Sequence, residues 1–251
     1  MTEPLVLRQQ EGPVLRLTLN DPGRANALSG AMIQALTAAF AEAALTSAVR
    51  VIVLAAAGKV FCAGHDLEEL RSTEDPAAHE ALFGRCSELM MAIVTSPKPV
   101  IAMVQGAAVA AGCQLVASCD LAYAGETARF AVSGINLGLF CSTPAVALSR
   151  SVGRKTALDM LLTGRFVSAG EAADAGLINR AVPGADLDLT VDQAAQAIAG
   201  KAPDAIALGK GLFSRQIEMT LPQAYALASA TMAENLGFAS ARSGIDSFLR
   251  R

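Results

Sequence analysis

From residue 99 to residue 119 the chain runs for 21 residues without a charged side chain. Such a run fits only a membrane span or the interior of a folded core. Gln105, Gln114 and Ser118, the interior glycines Gly106 and Gly112, and the lack of flanking aromatics argue against a span. It reads instead as a buried strand over 100–104, a turn at Gln105-Gly106 and a buried helix over 108–118. A second uncharged run covers the 20 residues 130–149. Two such runs demand a large interior, and 251 residues, 53% of them apolar, can supply one.

The flanking segments say how that interior is built. Val14–Leu19 alternates apolar and polar residues as a strand does. Asp21-Pro22-Gly23 breaks it, and Ser29 suits the cap of a helix carrying Ile33, Leu36, Phe40 and Ala44. Residues 50–56 form a short apolar strand, 58–66 a loop, and Asp75-Pro76 opens a helix reaching Val94. Another short strand covers 121–124. Strands separated by helices imply parallel pairing and an α/β fold. From Pro144 the pattern is mostly helical, over 144–151, 154–163, 169–175, 186–200, 203–218, 222–236 and 240–250.

Several chemistries are excluded early. Net charge is −3, which leaves no electrostatic footprint for nucleic acid. Only His65 and His79 are present, so a multi-histidine metal site is ruled out and no metal is expected. Cys62, Cys86, Cys113, Cys119 and Cys141 form no C-x-x-C pair, and their odd number points to free thiols in a reducing compartment. The first twelve residues do not read as a secretory signal, so a cytoplasmic location is expected, or the mitochondrial matrix for a mature eukaryotic chain. No membrane association is expected. The dinucleotide fingerprint and the hydrolase serine elbow are both missing. Gly153-Arg154-Lys155-Thr156 lacks the first glycine of a phosphate loop, and Met90-Met91 reads as core. Charged residues make up only 17%, below the usual quarter, so surface is expected to be covered in an oligomer.

Three segments carry candidate chemistry: residues 61–67 (F-C-A-G-H-D-L), residues 105–120, and the uncharged run from Phe130, with Gly134-Ile135-Asn136-Leu137-Gly138-Leu139-Phe140-Cys141-Ser142-Thr143-Pro144 at its centre. The first two place small residues where a loop turns into a helix. Helix N-termini present unpaired N–H groups at a positive dipole end. Two such groups converging would form an oxyanion hole. Close helix–strand packing in an Ala-rich core accounts for the same residues.

Arg24-Ala25-Asn26-Ala27-Leu28-Ser29, then 61–67, then 106–120, in that order, resemble the motifs of the crotonase superfamily, the enoyl-CoA hydratase/isomerase fold. The similarity spans nearly the whole chain and is nearest to the enoyl-CoA hydratase domain-containing protein 3 group. It implies an α/β spiral of ββα units over 1–190 and a C-terminal helical trimerisation region over 191–251. It implies an acyl-CoA or enoyl-CoA substrate, no cofactor beyond the CoA of that thioester, and a homotrimer or dimer of trimers. By the same resemblance the N–H groups of His65 and Ala111 would hold the thioester oxygen. Ala25, Ala27, Ala63, Asp66 and Leu67 would line the CoA path. Arg24 would meet a CoA phosphate or remain a solvated loop charge, and Phe248 would contact CoA from a neighbouring subunit or serve as core.

The pattern breaks where proton chemistry belongs. The two glutamates of family hydratases match Gln114 and Gly134, and the glycine usual at position 111 is Ala111. No Asp or Glu occurs from 130 to 149. His65, Gln114, Asn136, Cys141 and Ser142 remain as polar candidates. Among them only the His65 ring is an ordinary general base, unless it faces solvent. Cys141 is a nucleophile or a buried thiol, and Asn136 a site residue or a loop hydrogen-bonder. Three readings follow: a crotonase-type lyase or isomerase with impaired hydration, a decarboxylase of the methylmalonyl-CoA type, or a non-catalytic acyl-CoA-binding protein. On the first, Gln114→Glu with Gly134→Glu is expected to raise hydration.

Overall fold

The strands that the apolar runs predict pair mostly in parallel, and helices carry the chain between them. The structure, a computed structural model, describes residues 3–250. The strands are β1 (Val6–Glu11), β2 (Val14–Leu19), β3 (Val51–Ala56), β4 (Val60–Cys62), β5 (Val100–Val104), β6 (Ala107–Val109), β7 (Leu121–Gly125), β8 (Arg129–Ala131), β9 (Val167–Ser168) and β10 (Arg180–Val182). The helices are α1 (Gly30–Leu45), α2 (Leu67–Arg71), α3 (Pro76–Val94), α4 (Ala111–Ser118), α5 (Ser142–Ser151), α6 (Arg154–Thr163), α7 (Ala169–Asp174), α8 (Leu187–Ala199), α9 (Pro203–Gln216), α10 (Leu221–Leu236) and α11 (Ala239–Leu249).

One sheet has the order β1-β2-β3-β5-β7-β10, and a smaller one β4-β6-β8-β9. The chain repeatedly lays a strand in the first sheet and the next strand in the second: β3 then β4, β5 then β6, β7 then β8. Helices follow the first two of these steps and α5 the third, which gives the expected ββα spiral.

Burial on both faces explains the sequences of the central strands. Ile52 and Leu54 of β3 point into the main core with Leu17, Leu19, Met32, Leu36 and Phe40. Val51, Val53 and Ala55 point the other way, onto Leu187, Val191, Ala195 and Ala199 of α8. The helix starts fall where capping chemistry predicts. The Ser29 side chain accepts from Met32 N–H, and that of Asp75 from Ala77 N–H.

Some expectations are corrected. The 108–118 helix starts only at Ala111, because Ala107–Val109 pairs with β4 and β8. The loop over 58–66 contains β4. The first pairing, β1 with β2, is an antiparallel hairpin turned at Gly12 (φ 58°). The mostly helical second half returns a strand, β10, to the main sheet beside β7. Met90 is core but Met91 is exposed. The division at 190/191 falls inside α8, which covers the sheet, so the change of character comes after Ala199. Beyond it α9 and α11 bury no residue fully. One deep contact ties α9 to the core: Lys210 Nζ donates to Asp120 Oδ2 at 2.7 Å, Ile93 O at 3.0 Å and Lys98 O at 3.2 Å. Among the described residues no helix is long and apolar enough to cross a membrane. All five cysteines are free.

Candidate active site

The site begins with a strained loop. After the short 3-10 turn Pro22–Arg24, both Ala25 and Asn26 adopt φ 52°. Asn tolerates that region better than most residues. The fully buried Asn26 then bolts the loop down: Oδ1 accepts from Asp21 N–H at 2.9 Å, and Nδ2 donates to Ala57 O at 2.9 Å and Val60 O at 2.8 Å. The loop thereby lies along residues 63–65. Ala63 N–H donates to Ala25 O at 3.1 Å, Leu28 N–H donates to Gly64 O at 2.7 Å, and Leu28 bridges His65. Ala63 thereby lies beside Ala25, and Ala27 follows on the same loop.

The segment after β4 and the start of α4 meet backbone to backbone. A Cβ on Gly64 (φ 94°) would lie 2.9 Å from Ala110 Cβ, 3.0 Å from Val109 O and 3.3 Å from Ala111 N. A Cβ on Gly112 would strike Cys62 O. Only glycine permits either approach. Ala110 between them is held at φ 50°, ψ −116°, an unfavourable conformation for a residue with a side chain. Its N–H is tied to Ala131 O at 2.8 Å and its carbonyl to Gln114 N–H at 3.1 Å. Among the described residues the N–H groups of His65 and Ala111 have no protein acceptor. The second is an orphan donor of the first turn of α4, at the positive end of its dipole.

His65 and Gln114 flank this contact with buried polar side-chain atoms. The His65 ring is not turned to solvent. It meets Phe83 edge-on at 5.2 Å, and both ring nitrogens are buried without a hydrogen-bond partner. Burial pushes its pKa down, opposed by the Leu28 backbone and the Glu69 carboxylate, so the imidazole is neutral. Gln114 is 4% exposed and its Oε1 has no partner.

Gly134 lies in the 3-10 turn Ser133–Leu137, where a Cβ would sit 2.5 Å from Leu139 O and 2.8 Å from Cys141 Sγ. A glutamate there requires residues 139–141 to move. The expected gain from Gln114→Glu with Gly134→Glu is therefore withdrawn. Cys141 Sγ accepts from Gly134 N–H at 3.3 Å, and burial raises its pKa, which leaves an unreactive thiol. It lies near Cys113 of α4, whose thiol burial pushes up to about 12. Asn136 is exposed and donates from Nδ2 to Gly164 O at 3.4 Å. Ser142 is exposed and its Oγ donates to Phe140 O at 3.4 Å.

The chain that builds this site is similar to known proteins over nearly its whole length. The family described as enoyl-CoA hydratase/isomerase matches residues 9–251. The chain belongs to that family. It is 46% identical over 244 residues to enoyl-CoA hydratase domain-containing protein 3, mitochondrial, of Rattus norvegicus, covering 97% of this chain and 81% of the relative. The Homo sapiens protein of that name is 44% identical over 248 residues, covering 99% and 82%. Among solved structures, an enoyl-CoA hydratase of Mycobacterium smegmatis superposes with a TM-score of 0.97 at 54% identity, over 99% of this chain and 97% of that one. Human enoyl-CoA hydratase domain-containing protein 3 superposes with a TM-score of 0.95 at 43% identity, over 98% and 97%.

Within this enoyl-CoA hydratase/isomerase chain, the remaining candidates are partly engaged in structure. Asp66 caps α2, its Oδ1 accepting from Glu68 N–H at 3.0 Å and Glu69 N–H at 3.2 Å. Its other oxygen pairs with Arg24, which also reaches Glu68 at 3.3 Å. Arg24 is half exposed, and Leu67 and Phe248 are exposed. Sequence reasoning missed two supports. One is the bolting role of Asn26, for which Pro-Gly followed by Asn was the available signal. The other is Glu69, which accepts from Gly30 N–H at 2.8 Å at the start of α1. No local pattern marks that link.

Proposed function

We propose that this family member is an acyl-CoA enzyme that holds the thioester carbonyl oxygen between the N–H groups of His65 and Ala111. The supporting observation is the glycine-backed contact of residue 64 with residues 110 and 111, beside which both N–H groups lack acceptors. Donors fixed in place stabilise the negative charge that develops on that oxygen when the α-carbon becomes enolate-like. No further cofactor is needed for that step, since the CoA arrives as part of the substrate. Arg24, half exposed, would meet a CoA phosphate once its pairing with Asp66 and Glu68 is shared.

Hydration is the weak part of this chemistry. A positioned acid–base group contributes roughly 10²–10⁴-fold. Gln114 cannot ionise and Gly134 has no room for a carboxylate. Crotonyl-CoA hydration is therefore expected far below that of a member with both glutamates, and ordinary turnover would refute this. Infrared spectra of a bound acyl-CoA labelled at the thioester carbonyl test the oxygen site. A lowered carbonyl stretch supports the two donors. An unshifted stretch, or a complex with that oxygen beyond about 4 Å from both nitrogens, overturns them.

A second reading draws on the buried, unpartnered His65 ring. Decarboxylation of a malonyl-type thioester needs no protein base, and a neutral imidazole can donate to the departing carboxylate. His65→Ala keeps the main-chain donor and should cost such a reaction roughly 10²-fold. If no malonyl-type thioester releases CO₂, this reading falls. Binding without turnover of any enoyl or malonyl ester identifies a non-catalytic acyl-CoA-binding protein.

The exposed Phe213, Tyr225, Met232 and Phe248 on α9, α10 and α11 support a homotrimer or dimer of trimers. Light scattering that finds a monomer at micromolar concentration refutes it. Five free thiols support a reducing compartment, the cytoplasm or the mitochondrial matrix.

A further inference from the structure

We propose that a cleft at the N-terminal ends of the central strands β3 and β5 binds a small oxyanion of the phosphate class. Arg50 immediately precedes β3, Lys98 lies just before β5, and Lys201 lies in the link between α8 and α9. These three cations line one cleft with Pro97, Ile198 and Pro203, and no carboxylate lines it. The chain as a whole is acidic, so the local positive excess is not its general character.

The cations are free to take a ligand. Among the described residues none of the three pairs with an Asp or Glu. The neighbouring acids are engaged elsewhere. Asp120 takes Lys210 and the Val100 N–H, and Asp204 takes Ser240 Oγ and the Ala205 N–H. The frame is also fixed. Arg50 Nη2 donates to Lys201 O at 2.6 Å, which holds the guanidinium in place with its other donors to spare. Lys98 is tied through its N–H to Ser96 Oγ at 3.1 Å and through its carbonyl to Lys210 at 3.2 Å.

The cleft is small, with a volume of about 50 Å³, the scale of a few water molecules or one small oxyanion. A phosphate dianion supplies acceptors for a guanidinium fork and two ammonium groups, each a charge-assisted bond. It also relieves repulsion among three uncompensated cations. The cleft sits before the N-terminal ends of β3 and β5. The candidate active site lies beyond their C-terminal ends, so the oxyanion site is separate from the thioester site. Its ligand would join the starts of β3 and β5 to the α8–α9 link and brace α9 against the core.

Thermal unfolding of the full chain, with inorganic phosphate against chloride at matched ionic strength, tests this. The wild type should gain about 3 °C or more at 10 mM phosphate, on the scale expected for a saturated site in a chain of this size. Phosphate also stabilises proteins generally by exclusion from their surface, so the difference from Lys98→Gln/Lys201→Gln decides. These side chains make no hydrogen bond to the protein, and that variant should fold but lose the saturable gain. Phosphorus NMR line broadening by wild type and not by the variant is the second readout. An equal effect of glycerol phosphate identifies a phosphomonoester site, and an effect of inorganic phosphate alone a free-phosphate site. Equal gains in wild type and variant, with equal line widths, overturn the proposal.

Discussion

Gly64→Ala is the most direct test of how the candidate site is built. The residue sits at φ 94°, and its missing Cβ would lie 2.9 Å from Ala110 Cβ, 3.0 Å from Val109 O and 3.3 Å from Ala111 N. An L-residue forced to positive φ costs roughly 1–2 kcal/mol, and one methyl forced into a filled contact costs about 1–3 kcal/mol. Two of the three neighbours are main-chain atoms, so they cannot swing aside as a flexible side chain would. The sum, about 2–5 kcal/mol, corresponds to a fall in Tm of roughly 5–20 °C for a chain of this size. Relief would come by parting the two segments, which moves the Ala111 N–H away from that of His65. Loss of one such donor costs about 10²–10³-fold in an oxyanion-stabilised reaction. The assay pairs thermal unfolding with the infrared carbonyl stretch of bound acyl-CoA. Both the fall in Tm and the loss of the carbonyl shift are expected. A Tm within about 1 °C of wild type, with the shift intact, would refute the reasoning.

Gly134→Ala is expected to lower stability by about 1–3 kcal/mol through the Leu139 carbonyl and Cys141 Sγ, and denaturant unfolding checks it. Gln114→Glu with Gly134→Glu should restore no hydration, and a clear gain in crotonyl-CoA turnover would show that residues 139–141 yield. The His65 pKa is lowered by burial, so the unfolded chain binds the proton more tightly. Stability is then full above the ordinary value of 6.5 and declines as pH falls below it. His65→Phe should flatten that slope between pH 7 and 5, and an unchanged slope in urea titrations contradicts it. Asn26→Ala strands Ala57 O and the Asp21 N–H and leaves Val60 O only a long bond from Gln105 Nε2 at 3.4 Å, and should cost about 2–4 kcal/mol, measured by the shift of the unfolding midpoint.

Most of the longer helices were legible to within a residue or two, helped where an end carries local chemistry, as at Ser29 and Asp75, but α2 was missed and α4 starts three residues later than read. The predicted 154–163 helix matches α6. The short strands were not. Val60–Cys62, Arg129–Ala131 and Val167–Ser168 are two or three residues long, too short for any period to register, and they exist only because distant segments lie beside them. β1 escaped notice because only Val6 of its six residues is buried. At the site, Gly64, Ala111 and Gln114 were visible as small or uncharged residues at loop-to-helix turns. The burial of the His65 ring against Phe83 was not, since it depends on α3 folding over a loop. Nor was the fit of Gly134, which is decided by a carbonyl five residues further on.

The free donors at positions 65 and 111 belong to the peptide chain and not to its side chains. A substitution at either position leaves an N–H in place, provided the new residue is not proline and the turn survives. Groups that would add or remove protons would have to be side chains, at positions 114 and 134. If those donors hold a thioester oxygen, as proposed, recognition rests on the main chain and transformation on side chains, and the two can drift independently. A lineage built on this scaffold can discard one reaction and keep its ligand, then acquire another by altering a handful of side chains around an oxygen site that mutation hardly reaches.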